Sequence, residues 1–190
     1  MRKLIPNVLT LLRIAFVPVF IWFCFLDKTP NGMIWATIIF ILASITDYFD
    51  GLLARSLNAV TTFGKIMDPL ADKLLVLSAL SVLTFRLHYV SLTLYIIIAF
   101  REVLVSILRE FFAARKVFIP ANIWGKIKTV FQMIGITITL LYHSYSILFE
   151  ISNRTVVIST LIIQIIFTIV AFLTIFSGLV YFICILRRKF

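Results

Sequence analysis

Residues 47–73 read DYFDGLLARSLNAVTTFGKIMDPLADK, and four of the chain's eight acidic residues stand in this stretch, as Asp47-x2-Asp50-Gly51-x2-Ala54-Arg55-x8-Gly64-x3-Asp68-x3-Asp72. On either side the sequence is largely apolar. The 190 residues are 62% hydrophobic and 14% charged, with a mean hydropathy of +1.12. Such a composition describes a polytopic membrane protein rather than a soluble domain. An ionisable group in hydrocarbon costs several kcal/mol unless it is paired, hydrated or bound to metal. The acidic stretch is therefore where the chemistry is expected.

Working outward, a membrane-crossing helix needs about 20 apolar residues. The apolar runs between charged or turn-forming breaks predict six spans, at about Val8 to Leu26, Met33 to Phe49, Leu70 to Phe85, Tyr89 to Phe112, Val130 to Phe149 and Val156 to Leu186. The expected architecture is an all-α integral membrane protein with six transmembrane helices, forming a single membrane domain over residues 1–190. The first run follows Arg2 and Lys3 as a signal peptide would, yet Arg13 interrupts it and no small-residue cleavage site follows, so it reads as a retained span. Asp27 to Gly32, Arg86-Leu87-His88 and Ser152-Asn153-Arg154 are the turn-rich breaks that close helical hairpins.

The charges divide by side. Arg2, Lys3, Arg55, Lys65, Arg115, Lys116, Lys126, Lys128, Arg187, Arg188 and Lys189 fall in one set of loops and termini, against Lys28, Arg86 and Arg154 in the other. The positive-inside rule then places both termini and the acidic stretch on the cytosolic face. The net charge of +10 comes from these short clusters rather than from a continuous basic patch, which argues against a nucleic-acid partner. Cys24 and Cys184 lie within apolar runs with no metal-type spacing, so they read as small buried hydrophobes and not as a disulfide or zinc pair.

If the second helix continues to Arg55, then Asp47, Asp50, Gly51 and Ala54 fall at i, i+3, i+4 and i+7 on one stripe. Gly64, Asp68 and Asp72 make a matching stripe if the next helix begins near Phe63. Pro69 leaves a second reading open, in which it is the first helical residue, Asp68 is the cap and Gly64 lies in the preceding turn. Four aspartates without nearby histidine or cysteine form a hard oxygen-donor set suited to Mg2+, Mn2+ or Ca2+. Two such cations would clamp a diphosphate, and Gly51 and Ala54 would admit a bulky group. Helix capping and helix packing explain any one of these residues as well as function does, but not eight positions in fixed register.

These eight positions, Asp47, Asp50, Gly51, Ala54, Arg55, Gly64, Asp68 and Asp72, resemble the signature of the CDP-alcohol phosphatidyltransferase family. The resemblance implies a homodimer of six-helix subunits that moves a phosphatidyl group from a CDP-linked donor to an alcohol, releasing CMP. It implies that Asp47, Asp50 and Asp68 ligate the metals, two Mg2+ or Mn2+ ions, while Asp72 touches one metal and takes the proton of the attacking hydroxyl. Gly51, Ala54, Arg55 and Gly64 would contact the CMP portion. The opening Pro6-Asn7-x2-Thr10-x2-Arg13 resembles the family's short amphipathic entry segment, with Asn7 and Arg13 lining the donor site; helix capping and an interfacial anchor are the alternatives there.

Met67 to Leu74, Arg101-Glu102-x6-Arg109-Glu110 and Gly125-Lys126-x-Lys128-Thr129-x2-Gln132-Met133 are similar to the branch of that family whose acceptor is glycerol 3-phosphate and whose donor is CDP-diacylglycerol. The residues support a phosphorylated acceptor independently. Arg101 and Arg109 share a helix face, each is followed by a glutamate able to form a local pair, and Lys126 and Lys128 follow in the next cytosolic segment. Arg115 and Lys116 read instead as a basic loop facing solvent or lipid headgroups. Three rivals stand beside this reading. They are the same chemistry on another phosphorylated polyol such as inositol phosphate, a divalent-cation transporter, and an inert homologue acting as a scaffold. A transporter predicts acids near the middle of the membrane and a repeat, whereas these acids stand at span ends.

Overall fold

Each of the six apolar runs contains most of one helix. The computed structural model describes residues 4–26, 31–56, 62–115, 123–149 and 151–187, and within them the side chains of 4–10, 47–56, 62–69, 72 and 187 lie outside the description. In chain order the helices are α1 (Leu4–Phe25), α2 (Asn31–Ser56), α3 (Thr62–Ser81), α4 (Leu92–Ala114), α5 (Ile123–Leu148) and α6 (Asn153–Arg187). A π-helical turn, Val82–Arg86, extends α3. No strand occurs among the described residues. Pro18 lies inside α1, as apolar membrane helices permit when neighbouring groups re-satisfy the freed carbonyl.

The chain forms two compact units. One comprises Met1–Val82 with Thr137–Ile151, the other Leu83–Ile136 with Ser152–Phe190, so that the first part of α5 belongs to the second unit and its last part to the first. In the first unit α1 packs on α2 and α3. The interface is built from small residues and aromatics: Ala36, Ala43, Ala71 and Ala79 are fully buried, and the Phe20 and Phe40 rings meet at 5.9 Å. Small side chains let helix backbones approach closely where lipid removes the hydrophobic drive for helix pairing. Gly32 shows how close the approach is, since a Cβ there would lie 2.9 Å from the Leu26 carbonyl oxygen and 3.0 Å from that of Phe23. The sequence marks Gly32 as a turn residue; the structure places it in the first turn of α2, needed for contact with the end of α1. Thr37 of α2 and Ser144 of α5 exchange a 2.9 Å hydroxyl hydrogen bond in the same unit.

In the second unit α4 packs on α6. Ile98 and Val105 of α4 are buried there, as are Phe167 and Val170 of α6. The break at Arg86-Leu87-His88 is as tight as expected: His88 adopts a left-handed backbone with φ 55°, the Tyr89 N–H donates to the Leu83 carbonyl, and the Ser91 hydroxyl caps α4 by accepting from the Leu94 N–H.

Large apolar side chains face outward throughout, among them Trp22 at 66% exposure and Phe172 at 69%. A water-soluble surface does not carry apolar side chains on this scale. Residues Ile123–Leu148 and Asn153–Leu186 are long and apolar enough to cross a membrane, and Leu11–Phe25 and Asn31–Thr46 are shorter apolar helical stretches. The architecture is that of an all-helical membrane protein. Neither cysteine is in a disulfide; Cys24 is buried and Cys184 partly so.

Candidate active site

Helix α2 runs unbroken to Ser56, about two turns past the apolar run that ends near Phe49. Positions 47, 50, 51 and 54 therefore share one helix face, with position 55 beside it. Helix α3 begins at Thr62 and continues through Pro69, which decides between the two readings of that proline. Positions 64, 68 and 72 then stand at i, i+4 and i+8 on one face. Both helices belong to the first unit and pack on α1. The side chains of Asp47, Asp50, Gly51, Ala54, Arg55, Gly64, Asp68 and Asp72, and that of Asn7 on α1, lie outside the described residues. Arg13 is fully buried in α1.

The donor set suits a hard divalent cation. Continuous helices place positions 47 and 50 on one face of α2 and positions 68 and 72 on one face of α3, all four are aspartate, and no histidine or cysteine occurs between residues 47 and 72. Among the described residues no group of three or more His, Cys, Asp or Glu is placed to hold a metal.

The second unit carries the four basic residues assigned to the acceptor, Arg101, Arg109, Lys126 and Lys128. On α4, Arg101 is partly buried and Arg109 exposed; on α5, Lys126 is exposed while Lys128 is 0% exposed. Lys128 forms an ion pair with Glu102, itself buried, so its charge is met across the α4–α5 contact. The adjacent pair between Arg101 and Glu102 exists only at 4.0 Å, from Nη1 to Oε2. Arg101 is held elsewhere: its Nη2 donates a 2.8 Å hydrogen bond to the Ser177 hydroxyl of α6, which in turn donates to the Thr174 carbonyl at 3.1 Å. The side chain passes Gly178, where a Cβ would lie 3.4 Å from its Cγ and 3.7 Å from its Nε, and reaches Gly125 of α5, where a Cβ would lie 3.9 Å from Nη2. Arg109 lies within electrostatic reach of Arg101 and of Tyr181 on α6.

The Arg101 Nε–H is buried without a hydrogen-bond acceptor among the described residues. The arrangement brings Arg101, Arg109 and Lys128 into one unit with Lys126 at the start of α5. Sequence reasoning missed Ser177 and Gly178. The available signal was that Gly178 is the sole glycine in the run from Val156 to Leu186 and directly follows a serine.

Fold and residues together define a class: a helical membrane protein with two acidic helix faces in one unit and a basic cluster seated among small residues in the other. The chain belongs to the CDP-alcohol phosphatidyltransferase family, whose sequence model matches residues 3–176; Ser177, Gly178 and Tyr181 lie past that match. A relative from Rickettsia bellii is 42% identical over 178 residues, 94% of this chain and 93% of its own. Relatives from Bacillus subtilis and Escherichia coli K12 are each 39% identical, covering 73% and 70% of this chain and 77% and 74% of their own lengths. All three carry the name CDP-diacylglycerol–glycerol-3-phosphate 3-phosphatidyltransferase.

Proposed function

We propose that the chain transfers the phosphatidyl group of CDP-diacylglycerol to sn-glycerol 3-phosphate, giving phosphatidylglycerophosphate and CMP. The observation that carries this reading is that all eight signature positions lie in register on unbroken α2 and α3, in a chain alike over 94% of its length to a relative of that name. Asp72 accepts the proton of the acceptor's 1-hydroxyl. The acceptor oxygen then bonds to the lipid-linked phosphorus, and the bond from that phosphorus to the oxygen of CMP breaks. Divalent cations, Mg2+ or Mn2+, held by Asp47, Asp50, Asp68 and Asp72 would supply Lewis-acid polarisation of the diphosphate and offset charge on the leaving CMP. Gly51, Ala54 and Gly64 leave room for the CMP portion, with Arg55 and Asn7 lining it. Arg101, Arg109 and Lys126 attract the acceptor's phosphate, and Lys128 contributes through its pair with Glu102.

The six helices each cross the bilayer as one domain, led by a short amphipathic segment, with termini and aspartates on the cytosolic side. The asymmetric placement of basic residues supports this orientation. The working unit is a homodimer, and the diacyl tails of the donor stay in the surrounding lipid.

Purified protein assayed for CMP release with a panel of acceptors tests the reaction. Glycerol 3-phosphate is expected to react; inertness toward it alongside turnover of inositol phosphate would remove the acceptor assignment and leave the family chemistry standing. Asp72→Asn is expected to lower turnover roughly 10²–10⁴-fold with cation binding retained. Near-normal turnover with normal cation affinity would sink Asp72 as the base. Chelation is expected to abolish CMP release and added Mg2+ or Mn2+ to restore it, so activity that survives chelation counts against the metal reading.

A further inference from the structure

An arginine in apolar surroundings ordinarily pairs with the nearest carboxylate, which neutralises it. Arg101 has such a carboxylate next to it in sequence, yet Glu102 is engaged by Lys128 and approaches Arg101 only to 4.0 Å. The closest described contact that holds the guanidinium is a neutral one, the 2.8 Å bond to Ser177. A hydroxyl leaves the positive charge of Arg101 intact for another anion. The Ser177 hydrogen is itself directed to the Thr174 carbonyl at 3.1 Å, which turns the oxygen lone pairs toward Arg101. Two glycines flank the same side chain, Gly178 beside its Cγ and Nε and Gly125 beside its Nη2. A Cβ at either position would make ordinary van der Waals contact with Arg101, so a methyl group fits there, whereas a long side chain at 178 would compete with the arginine for the same space.

We propose that Ser177 of α6 is a positioning residue that seats the Arg101 guanidinium, beside Gly178 of α6 and Gly125 of α5, with its charge directed to the acceptor's phosphate. The inference rests on the reading of Arg101 as a phosphate ligand. The sixth helix thereby sets acceptor affinity without touching the donor. A hydrogen bond serving only to join α4 to α6 would stabilise the protein and leave the two substrates equally affected.

The test is steady-state kinetics on the purified full chain, varying glycerol 3-phosphate and CDP-diacylglycerol separately. Ser177→Ala removes the acceptor of a charge-assisted bond and is expected to raise the KM for glycerol 3-phosphate about tenfold, with the KM for CDP-diacylglycerol changed by less than about twofold. Ser177→Thr keeps the hydroxyl and is expected to stay near the parent. Gly178→Leu fills the space beside Arg101 and is expected to raise the acceptor KM at least as much as Ser177→Ala. Should Ser177→Ala fail to accumulate, Ser177→Cys keeps the volume, weakens the acceptor and is read the same way. An unchanged acceptor KM in Ser177→Ala, or equal rises for both substrates, overturns the proposal. Arg101→Ala is run in parallel: if it leaves the acceptor KM unchanged, the phosphate-ligand reading itself has failed, which is a different result from a silent Ser177.

Discussion

At the scale of single residues, Gly32 shows how a local reading and a packed structure assign different reasons to one amino acid. Its place after Pro30-Asn31 marks a turn, but the structure has it helical and pressed against two carbonyl oxygens at the end of α1. Gly32→Ala gains up to about 1 kcal/mol in helix propensity. It also forces a Cβ to 2.9 Å from the Leu26 oxygen, which is backbone and cannot swing aside. Overpacking of this kind costs about 1–3 kcal/mol, so the net sign is destabilising. Thermal unfolding in detergent is expected to show a lowered Tm for Gly32→Ala, and an unchanged or raised Tm would mean that α1 and α2 close differently. The acidic positions were legible at this scale because their meaning lies in residue type and spacing. Ser177 was not, because a serine in an apolar span carries no spacing signal that sets it apart from Ser159 in the same run.

Among the elements, the choice of ion-pair partner separates what periodicity predicts from what packing decides. An i, i+1 reading pairs Arg101 with Glu102 and leaves Lys128 among the loop cations. In the structure α4 and α5 bring Glu102 to Lys128, and both are buried. Removing one member breaks a buried ion pair, so Glu102→Gln and Lys128→Met are each expected to cost about 3–5 kcal/mol. The double change Glu102→Gln with Lys128→Met removes both charges together and is expected to recover most of that loss. Unfolding measurements that find the single effects simply additive in the double variant would contradict the pairing. Helix existence was legible from hydropathy, whereas the start of α3 was not. Pro69 is compatible with a helix start or with an interior site, and only the continuous backbone from Thr62 distinguishes them.

For the whole molecule, the sidedness of the charge distribution leads to a labelling experiment. With Cys24 and Cys184 replaced by alanine, Ser152→Cys is expected to react with a membrane-impermeant thiol reagent in intact cells, and Lys126→Cys only after permeabilisation. Both positions are exposed, so access depends on the side of the membrane rather than on packing. The opposite pattern would invert the proposed orientation. The membrane class, the six helical runs and the i, i+3, i+4 register of the acidic signature were determined by the sequence itself, because hydropathy and helical spacing are properties of contiguous chain. Which charges meet was decided by the tertiary structure. Arg101 finds Ser177 across 76 residues of sequence, and Glu102 finds Lys128 on another helix. The free energy of a buried charge depends on the groups packed around it, and those groups become neighbours only when the helices assemble.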